Sequence, residues 1–584
     1  STRRGRRWVP FAKGGEYSPY WADIHLVVDW EEDGARIRSY DGSVIRNQQY
    51  YFRPGITWPR RTNSGFGPRV LPAGCAFADK GPAVIPKNAG LGVLGWLTSR
   101  LVGALLALMV GAADETASGT PSKSYEVGLV SKLPWPAQLL TAEGFGQLVG
   151  QVAEQVRSGD LTDETSRWFV APARRCLSAG LGLMVEEGLR QTEDGILASL
   201  DASYALETKI LQAVGAGAAS FVDDEMGAHP ASLPDKPVPN LPDAYAESVS
   251  DLVAHGVLLR GGLRSLTQMT FVADRRLEVL AHTYGASPRS IVTERRRLRL
   301  VPPGLERDTA EAVFSYLVGC AFGRWDVRVG RDPTKAAPPG DLFEAPAACS
   351  PGMLVGADGF PSTEAPPGYP LSIPPDGVLV DEPGHRVEVM AALEAAATAL
   401  TDDPSALLHE LADLLGQDLR DYLRRGFFKD HLSRYSKSRR KAPIYWPLYV
   451  PSKAWGVWAY AHRLNREALF AVATAADARL GSAITEIRRL ESAQLSAGRG
   501  TPREVAAMLE SERSLAEELR RFHSEARRIA ELGWAPDLDD GIVLCAAPLV
   551  ELFGDWRSEL STRRAGLKAG AYPWASVDKY RDAL

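Results

Sequence analysis

Twelve of the chain's 40 prolines fall within residues 331–385, a stretch of 55 positions. Proline lacks a backbone N–H and fixes φ, so a stretch this dense is kept out of helix interiors and central strands. It predicts an extended, loop-rich insertion or linker that divides the chain into a part before 331 and a part after 385.

The two parts differ in periodicity. Residues 1–140 read as a mixed, mainly strand-like region. Residues 25–30 and 49–53 are short β-prone runs, separated by turns at Asp33-Gly34 and Asp41-Gly42. The mostly apolar segment 91–109 predicts one buried helix. From 141 to 330 apolar residues recur at helical intervals. Residues 386–532 predict long amphipathic helices, and 480–532 predict a helical hairpin. Its turn lies at 496–502, with Thr501-Pro502-Arg503-Glu504 as a capping box. Residues 533–584 form a C-terminal extension. The expected fold class is α+β, a mixed β-containing region followed by mainly α-helical domains. At 584 residues the chain is long enough for three or four domains.

Composition narrows the function classes. With 45% apolar and 24% charged residues and 14 Trp, the chain is a globular protein. The net charge of −5 argues against a uniformly basic nucleic-acid binder but leaves room for one basic face. Cys75, Cys176, Cys320, Cys349 and Cys545 include no Cys-x-x-Cys pair, which points to free thiols in a reducing compartment. The longest uncharged apolar run, 101–113, is too short to span a bilayer. Arg3, Arg4, Arg6 and Arg7 precede Trp8-Val9-Pro10, not the apolar core of a signal peptide. A cytoplasmic protein with no membrane partner is expected. The chain starts at Ser1 without an initiator Met, as one trimmed after translation or cut from a longer polypeptide would.

Several catalytic motifs are missing from the sequence. It has no Gly-x-x-x-x-Gly-Lys phosphate loop, no Gly-x-Gly-x-x-Gly turn between a strand and a helix, and no Gly-x-Ser-x-Gly elbow. Amino-methyltransferases carry Asn, Asp or Ser before Pro-Pro-aromatic, so that a polar side chain and a prolyl carbonyl accept from the target amine. Here the Pro-Pro pairs at Pro302, Pro338, Pro366 and Pro374 follow Val, Ala, Ala and Ile. The nine histidines lack metal-ligand spacing. Glu207-Thr208-Lys209 has the acid-x-Lys form of some nucleases but lacks an upstream acid pair, and a solvated helix face is the better account.

Three groups of segments carry a family resemblance. The first includes Trp8-Val9-Pro10-Phe11, Tyr51-Phe52-Arg53-Pro54-Gly55, Phe77-Ala78-Asp79-Lys80-Gly81-Pro82, Leu94-Gly95-Trp96-Leu97 and Lys132-Leu133-Pro134-Trp135-Pro136. The second is 315–326, with Ala321-Phe322-Gly323-Arg324-Trp325. The third runs from Phe427-Phe428-Lys429-Asp430-His431 through 434–437 to Ile444-Tyr445-Trp446 and Ala461-His462-Arg463-Leu464. In order and combination they resemble the large adenine-specific DNA methyltransferases of the BREX and DISARM phage-defence systems, relatives of type IIG restriction–methylation enzymes. The resemblance implies a target-recognition region at 1–140 and helical domains beyond it. It further implies double-stranded DNA as a partner, and S-adenosylmethionine bound by a separate or upstream catalytic domain. Other defence-system subunits are possible partners. The family's catalytic residues have no counterparts here.

Two segments are DNA-contact candidates. Residues 58–69 carry Arg60, Arg61, Asn63, Ser64 and Arg69, with Gly65 and Gly67 expected to give flexibility. Arginine reads guanine bidentately, asparagine reads adenine, and hydroxyls hold phosphates. The plain alternative is an exposed loop whose arginines are merely solvated. Residues 424–441 hold eight Lys/Arg against one Asp, among them Arg434, Lys437, Arg439, Arg440 and Lys441, interleaved with Phe427, Phe428 and Tyr435. Such a run suits a phosphate-tracking face, as it would a solvated helix. The segment at Arg324 reads as structural, with Arg324 paired to an acid. His25, His431 and His462 read as packed or hydrogen-bonded. Rival readings are a divergent stand-alone methyltransferase or nuclease, and an interaction scaffold in a defence complex.

Overall fold

The computed structural model describes residues 7–15, 17–62, 64–88, 90–110, 114–115, 121–142, 144–172, 181–214, 222, 228–239, 241, 277, 280–299, 304–437, 440–497 and 503–576. The chain divides into two units, each discontinuous in sequence. One comprises Ser1–Arg175, Gly182–Thr309 and Pro333–Gly352; the other comprises Cys176–Leu181, Ala310–Asp332 and Met353–Leu584. Small sheets among many helices give the expected α+β class.

In the first unit, strand β1 (Trp8–Ala12) pairs antiparallel with β2 (Val27–Asp29) and parallel with β6 (Ala76–Phe77). Strand β3 (Gly55–Thr57) is flanked antiparallel by β5 (Arg69–Leu71) and β7 (Ala83–Val84). A third sheet has the order β4 (Arg61–Thr62), β9 (Pro121–Ser124), β8 (Asp114–Glu115). The β-prone run 49–53 is not a strand: Gln48–Tyr50 is a 3₁₀ turn and Phe52 has φ of 66°. Its rings pack around Trp30 and Phe77 instead, so aromatic packing rather than ladder pairing accounts for the composition.

The segment read as one helix is two, Gly90–Thr98 and Arg100–Val110, bent by 59°. Ser99 makes the break. Its Oγ donates to Trp96 O (2.7 Å) and accepts from Val102 N (3.2 Å), so it closes one helix and caps the next. Among the described residues no single helix is long and apolar enough to cross a membrane. The amphipathic helix Phe145–Arg157 buries Phe145, Val149, Val152 and Ala153 in the same core as Trp21, Trp58 and Trp96. Gly92 is required by this packing, because a Cβ there would lie 2.1 Å from Leu140 O. Arg157 spans the rings of Trp21 and Trp168 and donates to Gly340 O, tying the start of the proline-dense stretch to this core.

The second unit is built on an antiparallel sheet of order β10 (Val378–Val380), β14 (Gly456–Tyr460), β13 (Tyr445–Tyr449). Every residue of these strands is buried, so polar–apolar alternation is absent. Pro447 sits on the edge strand, where a missing N–H costs least. The helices Ala468–Ala497 and Arg503–Glu531 form the expected hairpin and cover the sheet with Leu469, Val472, Leu519 and Phe522. The expected capping box spans residues outside the described set at Thr501 and Pro502. Gly323, at φ of 66°, ends the helix Leu305–Ala321 with Arg324 N donating to Gly319 O.

Candidate nucleic-acid interface

The segment 58–69 is anchored at both ends. Trp58 is fully buried and donates from Nε1 to Tyr125 O (2.9 Å). Arg60 N donates to Lys80 O (3.1 Å), and Arg60 O accepts from Tyr125 N (2.7 Å). Arg61 and Thr62 then form β4, in register with Ser124 and Lys123. What reads locally as a flexible loop therefore begins as the edge strand of a sheet, held by a partner some 60 residues away in sequence.

Its candidate side chains separate into three kinds. Arg61 and Ser64 are exposed, and Ser64 N donates to Thr62 Oγ1. Arg60 is half-buried; its Nη1 lies 2.9 Å from Asp79 Oδ2 and its Nε 3.5 Å from Glu126 Oε1. Arg69 is buried in β5, and its Nη2 donates to Gly14 O (2.7 Å). That placement corrects the reading of Arg69 as a DNA contact: its charge holds the turn at Gly14. Gly65 and Gly67 are likewise not spacers for a duplex. They face the ring of Tyr17, which a Cβ on Gly67 would meet at 3.1 Å. Phe66 packs against Trp58 and Tyr125. Asn63 lies outside the described residues.

Local reading missed Lys123, which strand register sets opposite Thr62, and the exposed Lys80. Only the fold brings Lys123 opposite Thr62 and Lys80 against the backbone of Arg60, so no spacing rule could have found them.

The second basic segment is not one helix face. Leu423–Phe427 is a π turn, Phe428–Arg434 a short helix, and β11 (Ser436–Lys437) and β12 (Arg440–Lys441) a hairpin. Arg424 is turned inward to Asp381, and Phe427 and Phe428 are buried. Arg425, Lys429 and Lys441 are exposed, and Arg434 is half-buried. Lys437 and Arg440 are backbone register partners in the hairpin, and Arg439 lies outside the described residues.

Beside this hairpin, Arg324 stacks over Trp325 at 3.9 Å and donates to the Tyr435 hydroxyl. His431 is buried, and its Nε2 accepts from Ile444 N (2.9 Å) and Tyr445 N (3.2 Å). Burial, with Arg324 and Arg434 nearby, holds its pKa well below the ordinary value and keeps the ring neutral. His25 and His462 are exposed. In the first unit, Glu207 is buried and bound by Arg100 (3.1 and 3.3 Å), not solvated as the sequence reading had it.

No family model matches the chain. Its sequence is similar, over limited stretches, to adenine-specific methyltransferases. One is the adenine-specific methyltransferase BrxX of Escherichia coli O9:H4 (strain HS), 34% identical over 82 residues, or 14% of this chain and 7% of that protein. Another is the adenine-specific methyltransferase PglX of Lacticaseibacillus casei (strain Zhang), 27% identical over 144 residues, or 23% of this chain and 11% of that protein. The matched stretches thus span about a tenth or less of each relative.

Proposed function

We propose that this chain is the DNA-recognition part of an adenine-specific DNA methyltransferase system of the anti-phage type, working with a separate or upstream catalytic domain. The observation that carries this reading is the edge strand β4. It offers exposed Arg61, with Lys123 opposite Thr62 and the exposed Ser64 just beyond, on a backbone anchored through Arg60. Preorganised arginines on a rigid platform suit base-edge reading. The similarity to adenine-specific methyltransferases supports DNA as the ligand class. The basic hairpin 436–441 of the second unit is assigned to the phosphate backbone.

The methyl donor is assigned to the catalytic partner. A cavity of about 210 Å³ in the first unit is lined by Leu197, Leu200, Asp235, Ser287 and Pro288, with the ion-paired Asp201 and Arg289 also in its walls. Among the described residues of its walls there is no aromatic side chain. Binding to randomised duplexes at fixed salt tests the proposal. Sequence-selective binding that Arg61→Ala weakens supports it, and binding by neither wild type nor variant overturns it. Calorimetric titration with S-adenosylmethionine tests the division of labour, with no saturable heat expected from this chain alone.

A further inference from the structure

Arg60 is the one arginine of its segment that two carboxylates bracket. Asp79 follows β6, and Glu126 follows β9. Asp79 takes Nη1 at 2.9 Å, and Glu126 stands 3.5 Å from Nε. Glu126 is itself held, accepting from Ser124 Oγ at 3.0 Å. Nε is shut off from water, whereas Nη2 meets no acceptor among the described residues. Asp79 thus holds the guanidinium by one hydrogen bond, and Glu126 flanks Nε at ion-pair distance without hydrogen-bonding it. Two donors on Nη2 and one on Nη1 remain available.

Two carboxylates at a DNA-facing edge oppose phosphate binding, since each adds like-charge repulsion. Their retention beside Arg60 has a physical use if they set the plane of the guanidinium. An arginine free to rotate loses rotamer entropy when it pairs with a base, and one already oriented loses less. We infer that Asp79 and Glu126 are positioning residues that hold Arg60 to read the two-acceptor edge of a guanine in duplex DNA. This rests on the DNA-recognition reading above and adds to it a base and the residues that enforce the choice.

The inference makes charge and selectivity move in opposite directions. Removing both carboxylates with Asp79→Asn and Glu126→Gln raises the net charge of this face by two. Ordinary electrostatics then tightens binding to every sequence. If the pair orients Arg60, the same double variant loses preference at one G·C pair by roughly 5- to 10-fold, the lower part of what one bidentate contact supplies. Arg60→Ala should lose preference at the same pair, and Arg60→Lys should not restore it, because an ammonium has no planar fork.

The experiment is selection and sequencing of a randomised duplex library at fixed salt, for wild type, Arg60→Ala, Arg60→Lys, each single carboxylate variant and the double variant. Circular dichroism and thermal unfolding confirm that each variant is folded. Flattened preference at one G·C position with equal or tighter overall binding is the expected result. Preference lost in Arg60→Ala but intact in the double variant overturns the positioning role and leaves DNA recognition standing. A uniform loss in Arg60→Ala shows a phosphate contact and overturns the guanine assignment. A wild type that binds no duplex overturns this inference together with the reading beneath it.

Discussion

The guanidinium of Arg424 closes on the carboxylate of Asp381, a side chain with no exposure to water. Arg420 binds the other oxygen of that carboxylate, and the Tyr449 hydroxyl donates at 2.9 Å to the oxygen that Arg424 binds. The first cation of a basic run is thereby committed to the interior of the second unit. Arg424→Ala and Asp381→Asn should both destabilise this unit. The Asp381 change should cost about 3–5 kcal/mol, because it leaves Arg424 without its carboxylate at a buried site, whereas Arg420 keeps Glu388. Urea unfolding measures this. Neither change should alter the salt dependence of DNA binding by wild-type-like folded protein.

The hairpin gives the contrasting result. Replacing Arg439, Arg440 and Lys441 with Ala should leave the unfolding midpoint unchanged and flatten the slope of log affinity against log salt by roughly two to three. Binding titrations at several salt concentrations on two unrelated duplexes check it, and both duplexes should weaken about equally.

Arg61 and Arg69 should behave as opposites, although they lie eight positions apart. Arg61→Ala removes an exposed cation and should weaken DNA binding with stability within about 0.5 kcal/mol of wild type. Arg69→Ala leaves Gly14 O without its charged donor and should cost about 1.5–3 kcal/mol. Paired melting and binding measurements separate the two roles.

Acid should weaken the first unit through His229. Burial, then Arg100 and His282, push its pKa down to about 4 from an ordinary 6.5, and its Nδ1 accepts from Ala231 N. The folded state therefore resists a proton that the unfolded chain takes up near pH 6.5. Stability from this group is complete above that pH and is lost as pH falls toward 4, by up to about 3 kcal/mol. His229→Asn, which can keep an acceptor for Ala231 N, should reduce the loss between pH 7 and pH 4.5 measured by urea unfolding.

Gly92→Ala should destabilise by about 1–3 kcal/mol despite adding a good helix former, because its methyl would enter the space of Leu140 O. Thermal unfolding checks the sign against helix propensity, which favours alanine.

Legibility followed the range of the interaction. The hairpin of Ala468–Ala497 and Arg503–Glu531 is written in a 3.6-residue period, which depends only on near neighbours. The break at Ser99 was readable in principle, since a serine between two apolar stretches is a cap signal. The uniform hydrophobicity around it concealed the boundary. The candidate site was legible only as composition. Arginines at 60, 61 and 69 look equivalent along the chain. Pairing with Asp79, Ser124 and Gly14, all distant in sequence, makes one ion-paired, one an exposed strand residue and one interior. The run 424–441 failed similarly, because the partner of Arg424 lies 43 residues away.

The interleaving of the two units along the chain bears on how the protein is made. The first unit draws its last segment from Pro333–Gly352, after the chain has already supplied Ala310–Asp332 to the second. On a ribosome moving at about 5–20 residues per second, residues from 1 onward wait tens of seconds for the strand of sequence that completes them. No single cut releases both units whole, since a break after Gly352 leaves Cys176–Leu181 and Ala310–Asp332 with the wrong half. A fragment ending at Gly352 should therefore hold the first unit whole, whereas the second should be obtained intact only when residues 353–584 are co-expressed with that fragment.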